Sequence, residues 1–329
     1  MAFKDVAGNE GVKRILRLAL ERGRVPNSLI FCGPEGVGKS ALALTLAKAL
    51  NCLSQAADAC DDCPSCRAID AGTHPDVMAV TAEVQKVKVE QTDLIKQMAY
   101  LRPMNGKRRV FIIEEADRLN EHSANSLLKV LEEPPSFSHL ILITASPHLL
   151  LPTIRSRCRI LAFSPIGREV IERALAGRDF TPEQARTLAL LVDGNLDRAR
   201  ELVWEEVQAL RESAWTLFDA VSSDDRPSRF LERFGAVPKA AQEELGRVLE
   251  IFASFARDLL LLRLGGEPAL LLNPDLEDRL RQAAPAWTPS RLLDLLADLD
   301  TFLVQLEGNM NKGLLATTFF SDLMELRHA

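Results

Sequence analysis

The stretch Gly33-Pro34-Glu35-Gly36-Val37-Gly38-Lys39-Ser40 constrains this chain more than any other. It is a G-x-x-x-x-G-K-S loop. The apolar run Ser28–Cys32 before it reads as a buried strand, and the alanine- and leucine-rich run Ala41–Leu50 after it reads as a helix. A strand, a glycine loop and a helix in that order make a phosphate cradle. The glycines let successive backbone N–H groups converge, and the helix start adds the positive end of its dipole. Lys39 places a charge at the terminal phosphates, and Ser40 is positioned to hold a magnesium ion. The pattern predicts an ATP/Mg²⁺ site on Gly33, Gly36, Gly38, Lys39 and Ser40. An ordinary glycine turn between strand and helix has no need of the full eight-residue pattern.

Further strands follow at Asp76–Val80, Arg109–Ile113, Leu140–Ile143 and Arg159–Phe163, separated by helices at Gln91–Tyr100 and Ala124–Leu131. An N-terminal helix, Glu10–Arg22, closes at Gly23. Apolar strands alternating with helices predict a parallel sheet covered on both faces. After Ser164-Pro165 the strand signal stops. Short helices are predicted at Glu169–Ala176, Pro182–Val192 and Leu196–Val203, and long ones at Ala240–Leu264 and Ser290–Leu306. The expected division is an α/β nucleotide domain over 1–165, a small helical domain over 166–204 and an all-α domain over 205–329.

A net charge of −6 supplies no broad basic field for nucleic acid or anionic membrane, so any DNA contact has to be local or shared. The opening residues Met1–Asp5 hold no apolar signal core, and no run reaches the length of a membrane span. A cytoplasmic protein with no membrane association is expected. Its six cysteines are then thiols or metal ligands rather than disulfides.

Four of them, Cys52, Cys60, Cys63 and Cys66, form C-x7-C-x2-C-x2-C within an insertion over about 51–67. Four thiolates so spaced suit a closed, tetrahedral, structural Zn²⁺ site. The insertion itself has little to bury, so the metal is what would order it. Cys32 reads as a core thiol, and His74 as a turn residue rather than a ligand. The third strand ends in Glu114-Glu115-Ala116-Asp117. Beyond the carboxyl end of a parallel strand, Glu114 would hold magnesium through water and Glu115 would polarise an attacking water; the plainer alternative is acids that cap the strand at the surface. Lys107-Arg108-Arg109 reads as a solvated turn. Arg155, Arg157 and Arg159 alternate, which suits either one face of an edge strand or an arginine held out to a phosphate on another subunit.

Taken together, the glycine loop, the cysteine insertion, Gly72-Thr73-His74-Pro75-Asp76, Asn125–Pro135 and Ser156-Arg157-Cys158 resemble the clamp-loader branch of the AAA+ ATPases. The resemblance covers roughly the first half of the chain. It implies an AAA+ module with a zinc insertion, a helical lid and a C-terminal collar. It also implies assembly with delta and gamma/tau subunits into a five-membered ring that sets a sliding clamp on primed DNA, with any DNA contact of this chain indirect or weak. Such a chain is a component of a DNA polymerase III holoenzyme with no polymerase chemistry of its own. In this family the arginine of Ser-Arg-Cys acts in trans on a neighbour's ATP, which assigns that role to Arg157.

Three positions depart from the family's motor pattern. Glu114 stands where motor subunits have aspartate, displacing the carboxylate by about one bond length from a near-ideal magnesium octahedron. Ala145 aligns with the polar sensor at the end of the fourth strand, and Asp197 with the lid's phosphate-sensing arginine; Arg198 lies roughly 100° round the helix. An intact loop beside weakened hydrolysis positions predicts a stator subunit with weak or no ATPase of its own. The alternatives are a gamma/tau-type motor subunit and a free-standing P-loop kinase.

Overall fold

In the computed structural model, residues 1–81, 89–176, 180–223 and 239–307 are described. The predicted break at Gly177 and the last part of the C-terminal domain lie outside them. The chain divides into two units, one formed by Met1–Ala174 with Val192–Arg200, the other by Leu175–Leu191 with Glu201–Ala329. Residues expected to form a separate lid are thus shared between the two.

The first unit is built on five parallel strands: β1 (Ser28–Cys32), β2 (Val77–Val80), β3 (Arg109–Ile113), β4 (Ser138–Thr144) and β5 (Arg159–Ala162). Their spatial order is β2-β3-β4-β1-β5. Every residue of β1, β3 and β4 is buried, which is why these strands read as unbroken apolar runs rather than alternating ones. β1 lies between β4 and β5 and pairs Cys32 with Thr144 on one side and with Ala162 on the other. The loop that leaves β1 therefore starts from the interior of the sheet, where its carboxyl edge can collect groups from several strands.

Helices α1 (Glu10–Glu21), α2 (Lys39–Asn51), α3 (Pro64–Asp70), α4 (Val89–Ala99), α5 (Glu121–Glu132) and α6 (Pro152–Arg155) connect the strands. α1 stops as expected: Arg22 caps it, and Gly23 takes φ +61° while its N–H donates to the Leu20 carbonyl. α5 stops at Glu132 because the next residue precedes Pro134 and leaves the helical region, with φ −128° and ψ 64°. Its Leu127 and Leu131 share a core with Leu140, Leu142, Ile113 and Ile154.

Two polar knots tie the first unit together. The buried Asp76 carboxylate accepts from the backbone N–H groups of Met104, Asn105 and Gly106 at 2.7–2.8 Å and pairs with Arg109 at 2.8 Å. The basic run at 107–109 is thus not a solvated turn. Arg109 is almost completely buried, Lys107 Nζ donates to the Cys52 carbonyl, and the Arg108 N–H donates to Asn51 Oδ1. The acid that made this burial tolerable lies on another element. His74 is buried as well: its Nδ1 accepts from the Asp76 N–H and its Nε2 meets Ser65 Oγ at 3.2 Å, linking β2 to α3.

The second unit contains α8 (Pro182–Leu191), α10 (Trp204–Ser223), α11 (Lys239–Arg263), α12 (Glu277–Ala283) and α13 (Pro289–Glu307), whereas α7 (Arg168–Ala176) and α9 (Leu196–Glu201) belong mostly to the first. Its core is aromatic at the centre, with Phe218 packed on Phe252, Phe255 and Trp287. Buried Asp258 accepts from the N–H groups of Leu272 and Asn273 and so fixes the turn after α11. Among the described residues no helix is long and apolar enough to cross a membrane.

Burial by itself would raise the Asp76 carboxyl, but the three N–H groups and Arg109 outweigh it and hold it below the ordinary range. Its stabilisation is therefore complete above about pH 4 and is lost as pH falls toward the depressed value. Asp76→Ala leaves Arg109 buried without its acid and is expected to cost about 3–5 kcal/mol, read as a lower denaturation midpoint. A cost below about 1 kcal/mol would contradict this.

Candidate nucleotide and metal sites

The loop between β1 and α2 has the geometry of a phosphate cradle. Gly38 is the N-cap of α2 at φ +87°, and Gly36 has φ +67°. Two of the glycines are also required by close approach. A Cβ on Gly33 would lie 2.3 Å from the Phe163 carbonyl oxygen, and one on Gly36 would lie 1.6 Å from Asn195 Oδ1. Lys39 is buried and turns back over the loop, donating to the carbonyls of Gly33 at 2.7 Å and of Pro34. Burial lowers its ammonium, while Glu35, Cys32, Asp117 and Glu114 act to raise it. Those carboxylates are close enough for their field to reach the lysine, which is what a cation site next to bound phosphate requires.

The carboxyl edge of the sheet supplies the remaining groups. Glu114 follows β3 directly, its N–H donating to the Val80 carbonyl, and it is half-buried. Glu115 adopts the left-handed conformation at φ +49° and is engaged by Arg118 at 3.1 Å. β4 runs to Thr144, and Ala145, aligned with the sensor position, is the residue that follows it. The Thr144 hydroxyl donates to Asp117 Oδ1 and accepts from the Ser146 N–H at 2.9 Å. Asp117 was missed from sequence. It closes the same acidic run as Glu114, but only the fold brings it to Thr144 and Lys39.

A cleft of about 90 Å³ lies against the loop, lined among others by Gly36, Lys39, Ser40, Leu196, Asp197 and Arg200. α9 reaches it directly, since the Leu196 N–H donates to the Gly36 carbonyl at 2.9 Å. Asp197 is therefore at the cleft, as its alignment implied, whereas Arg198 is not among the lining residues. Arg200, one turn further on, does line the cleft and pairs with Asp197 at 3.5 Å; sequence reasoning overlooked it. Ligand pockets usually measure about 300–1,000 Å³, so a nucleotide needs this cleft wider.

The four cysteines of the insertion converge, with all ligand atoms within 4.8 Å of one another. Four Zn–S bonds of about 2.3 Å in a tetrahedron put neighbouring sulfurs about 3.8 Å apart. Cys60 and Cys66 already stand at 4.0 Å. Backbone N–H groups point at the sulfurs: Gln55 at Cys52, Cys63 at Cys60, and Cys66 at Cys63. The N–H groups of Cys63 and Asp62 bring the Cys60 thiol down to about 6, while burial pushes Cys66 up to about 12. The donor set and spacing fit one soft, tetrahedral metal ion. Buried Lys48 of α2 binds Asp61 and Asp70, and Arg17 of α1 binds Asp58, so ion pairs also hold the module to the core.

Arg157 follows α6 and stands away from the sheet core. Arg155 belongs to α6 and Arg159 opens β5, so the three arginines do not share one strand face. Cys158 packs into the core of β4 and α5, and burial raises its thiol to about 12. It anchors the turn, and Arg157 projects outward.

Comparison with known proteins gives these groups a family. The profile described as "DNA polymerase III, delta subunit" matches residues 8–167, and "DNA polymerase III, delta subunit, C terminal" matches 231–324. DNA polymerase III subunit delta' of Bacillus subtilis is 30% identical over 318 residues, covering 94% of this chain and 95% of that one. Subunit tau of Salmonella typhimurium is 37% identical over 208 residues, 61% of this chain but only 32% of tau. A gamma subunit-related protein of Thermotoga maritima aligns over 97% of this chain and 99% of its own, at 18% identity and TM-score 0.45. The match to delta' runs nearly end to end, and the chain belongs to the delta-prime family of DNA polymerase III clamp-loader subunits, within the AAA+ clamp loaders.

Proposed function

We propose that this chain is the stator of a clamp loader. It joins delta and gamma/tau subunits in a five-membered ring, helps set a sliding clamp on primed DNA in the cytoplasm, and offers Arg157 to the ATP of the neighbouring subunit. It takes ATP and magnesium on Lys39, Ser40 and Glu114 and turns ATP over slowly or not at all. Its cysteine module holds one structural Zn²⁺. The observation that carries this reading is Asp197 at the phosphate cleft, where the motor pattern has an arginine.

The state of the other groups agrees with slow turnover. Thr144, which ends β4, has its hydroxyl engaged by Asp117. A carboxylate at the cleft opposes a polyphosphate. The higher identity to tau is confined to 208 residues, while the delta' match extends through the C-terminal helices, so length of match favours the stator over the motor.

Arg157→Ala in a reconstituted loader tests the trans role. Single-turnover hydrolysis at the one neighbouring site is expected to fall by about a thousandfold or more, with ATP binding by this subunit unchanged; an unaltered loader rate would reduce Arg157 to a surface charge. Elemental analysis is expected to give one zinc per chain, and Cys63→Ser is expected to lose it and loosen residues 52–66. A fully folded protein with no metal would refute the zinc assignment.

A further inference from the structure

Asn125–Pro135 helped identify the family, yet its terminal acids have no part in the ATP site of this chain. The structure links one of them to the arginine. Glu132 Oε1 lies 2.7 Å from Arg157 Nη2, while Arg157 Nη1 donates to the Thr153 carbonyl at 2.8 Å and to Ser156 Oγ at 3.3 Å. Three acceptors from two elements thus hold one guanidinium whose side chain is still 34% exposed.

We propose that Glu132 is a positioning residue for Arg157: it pre-orders the guanidinium at the subunit surface and then exchanges it for the neighbour's polyphosphate. This rests on the trans-acting reading of Arg157. An arginine side chain left free has many rotamers to lose at the moment of reaction, and a group already held in place avoids most of that loss. Both ends of the pair are set by one core. Leu131, adjacent to Glu132, packs in the same cluster as Ile154 and Cys158, which bracket Arg157. Pro134 forces α5 to end where it does, so the carboxylate is fixed in register rather than placed by chance. The pair is about half exposed, with Glu132 at 48%, so it is weak enough to yield to a more highly charged phosphate. The Nε and the second Nη2 proton are not used by these three acceptors and remain for a phosphate oxygen.

The test is a double-mutant cycle in the reconstituted loader, read as single-turnover hydrolysis at the site that receives Arg157. Glu132→Ala is expected to slow that step about five- to tenfold, the cost of ordering one arginine anew, with ATP affinity unchanged. Glu132→Asp should recover part of the rate, and Glu132→Ala added to Arg157→Ala should cause no further loss. A slow Arg157→Ala beside a normal Glu132→Ala overturns the positioning role alone. A loss from Glu132→Ala that persists in the Arg157→Ala background overturns it as well, because the acid would then act through the fold. A silent Arg157→Ala overturns both the positioning role and the trans-acting reading beneath it.

Discussion

The parallel pairing of β1 between β4 and β5 is the constraint on which the first unit depends. Interior strands of such a sheet are buried on both faces, so their side chains must be apolar throughout, and polar function is pushed to their carboxyl ends. The glycine loop leaves β1 there, Glu114 leaves β3 and Thr144 ends β4. Gly33 has no room for a side chain because β5 ends against it, its Cβ position falling 2.3 Å from the Phe163 carbonyl oxygen. The same sheet that needs glycine for packing thereby obtains a backbone free to fold round phosphate.

Around that edge, charge is arranged asymmetrically. Lys39 supplies one buried cation, and the acids near it, Glu35, Glu114 and Asp117, suit a magnesium-bound ligand more than a bare anion. On the far side of the cleft α9 brings Asp197 and Arg200 paired with each other. The balance differs from a site built to stabilise charge as the terminal phosphate departs, which wants unopposed cations. Arg157 projects elsewhere from this unit and is held by Glu132. The cleft thus faces inward at the loop, and the arginine proposed to act on a neighbour faces outward.

Much of this was legible in the sequence because it is local. β1 and β3 coincide with their apolar runs, the glycine loop is contiguous, and the four cysteines that converge lie within fifteen residues. What was not legible depends on partners distant in the chain. Arg109 looked like a surface charge because Asp76, 33 residues earlier, is what lets it be buried. Thr144 drew no notice because its partner, Asp117, lies 27 residues earlier in the chain. Asp117 and Arg200 gained meaning only when β4 and α9 were placed beside the loop. The strand order has no local signal at all.

The proposed stator binds ATP at this cleft without cutting it quickly. The most direct test is to titrate the isolated chain with ATP and magnesium and to follow phosphate release from the same samples. Saturable binding that Lys39→Ala abolishes, with phosphate release near background, is the predicted result. Rapid turnover that depends on Lys39 would contradict the claim and make this subunit a motor.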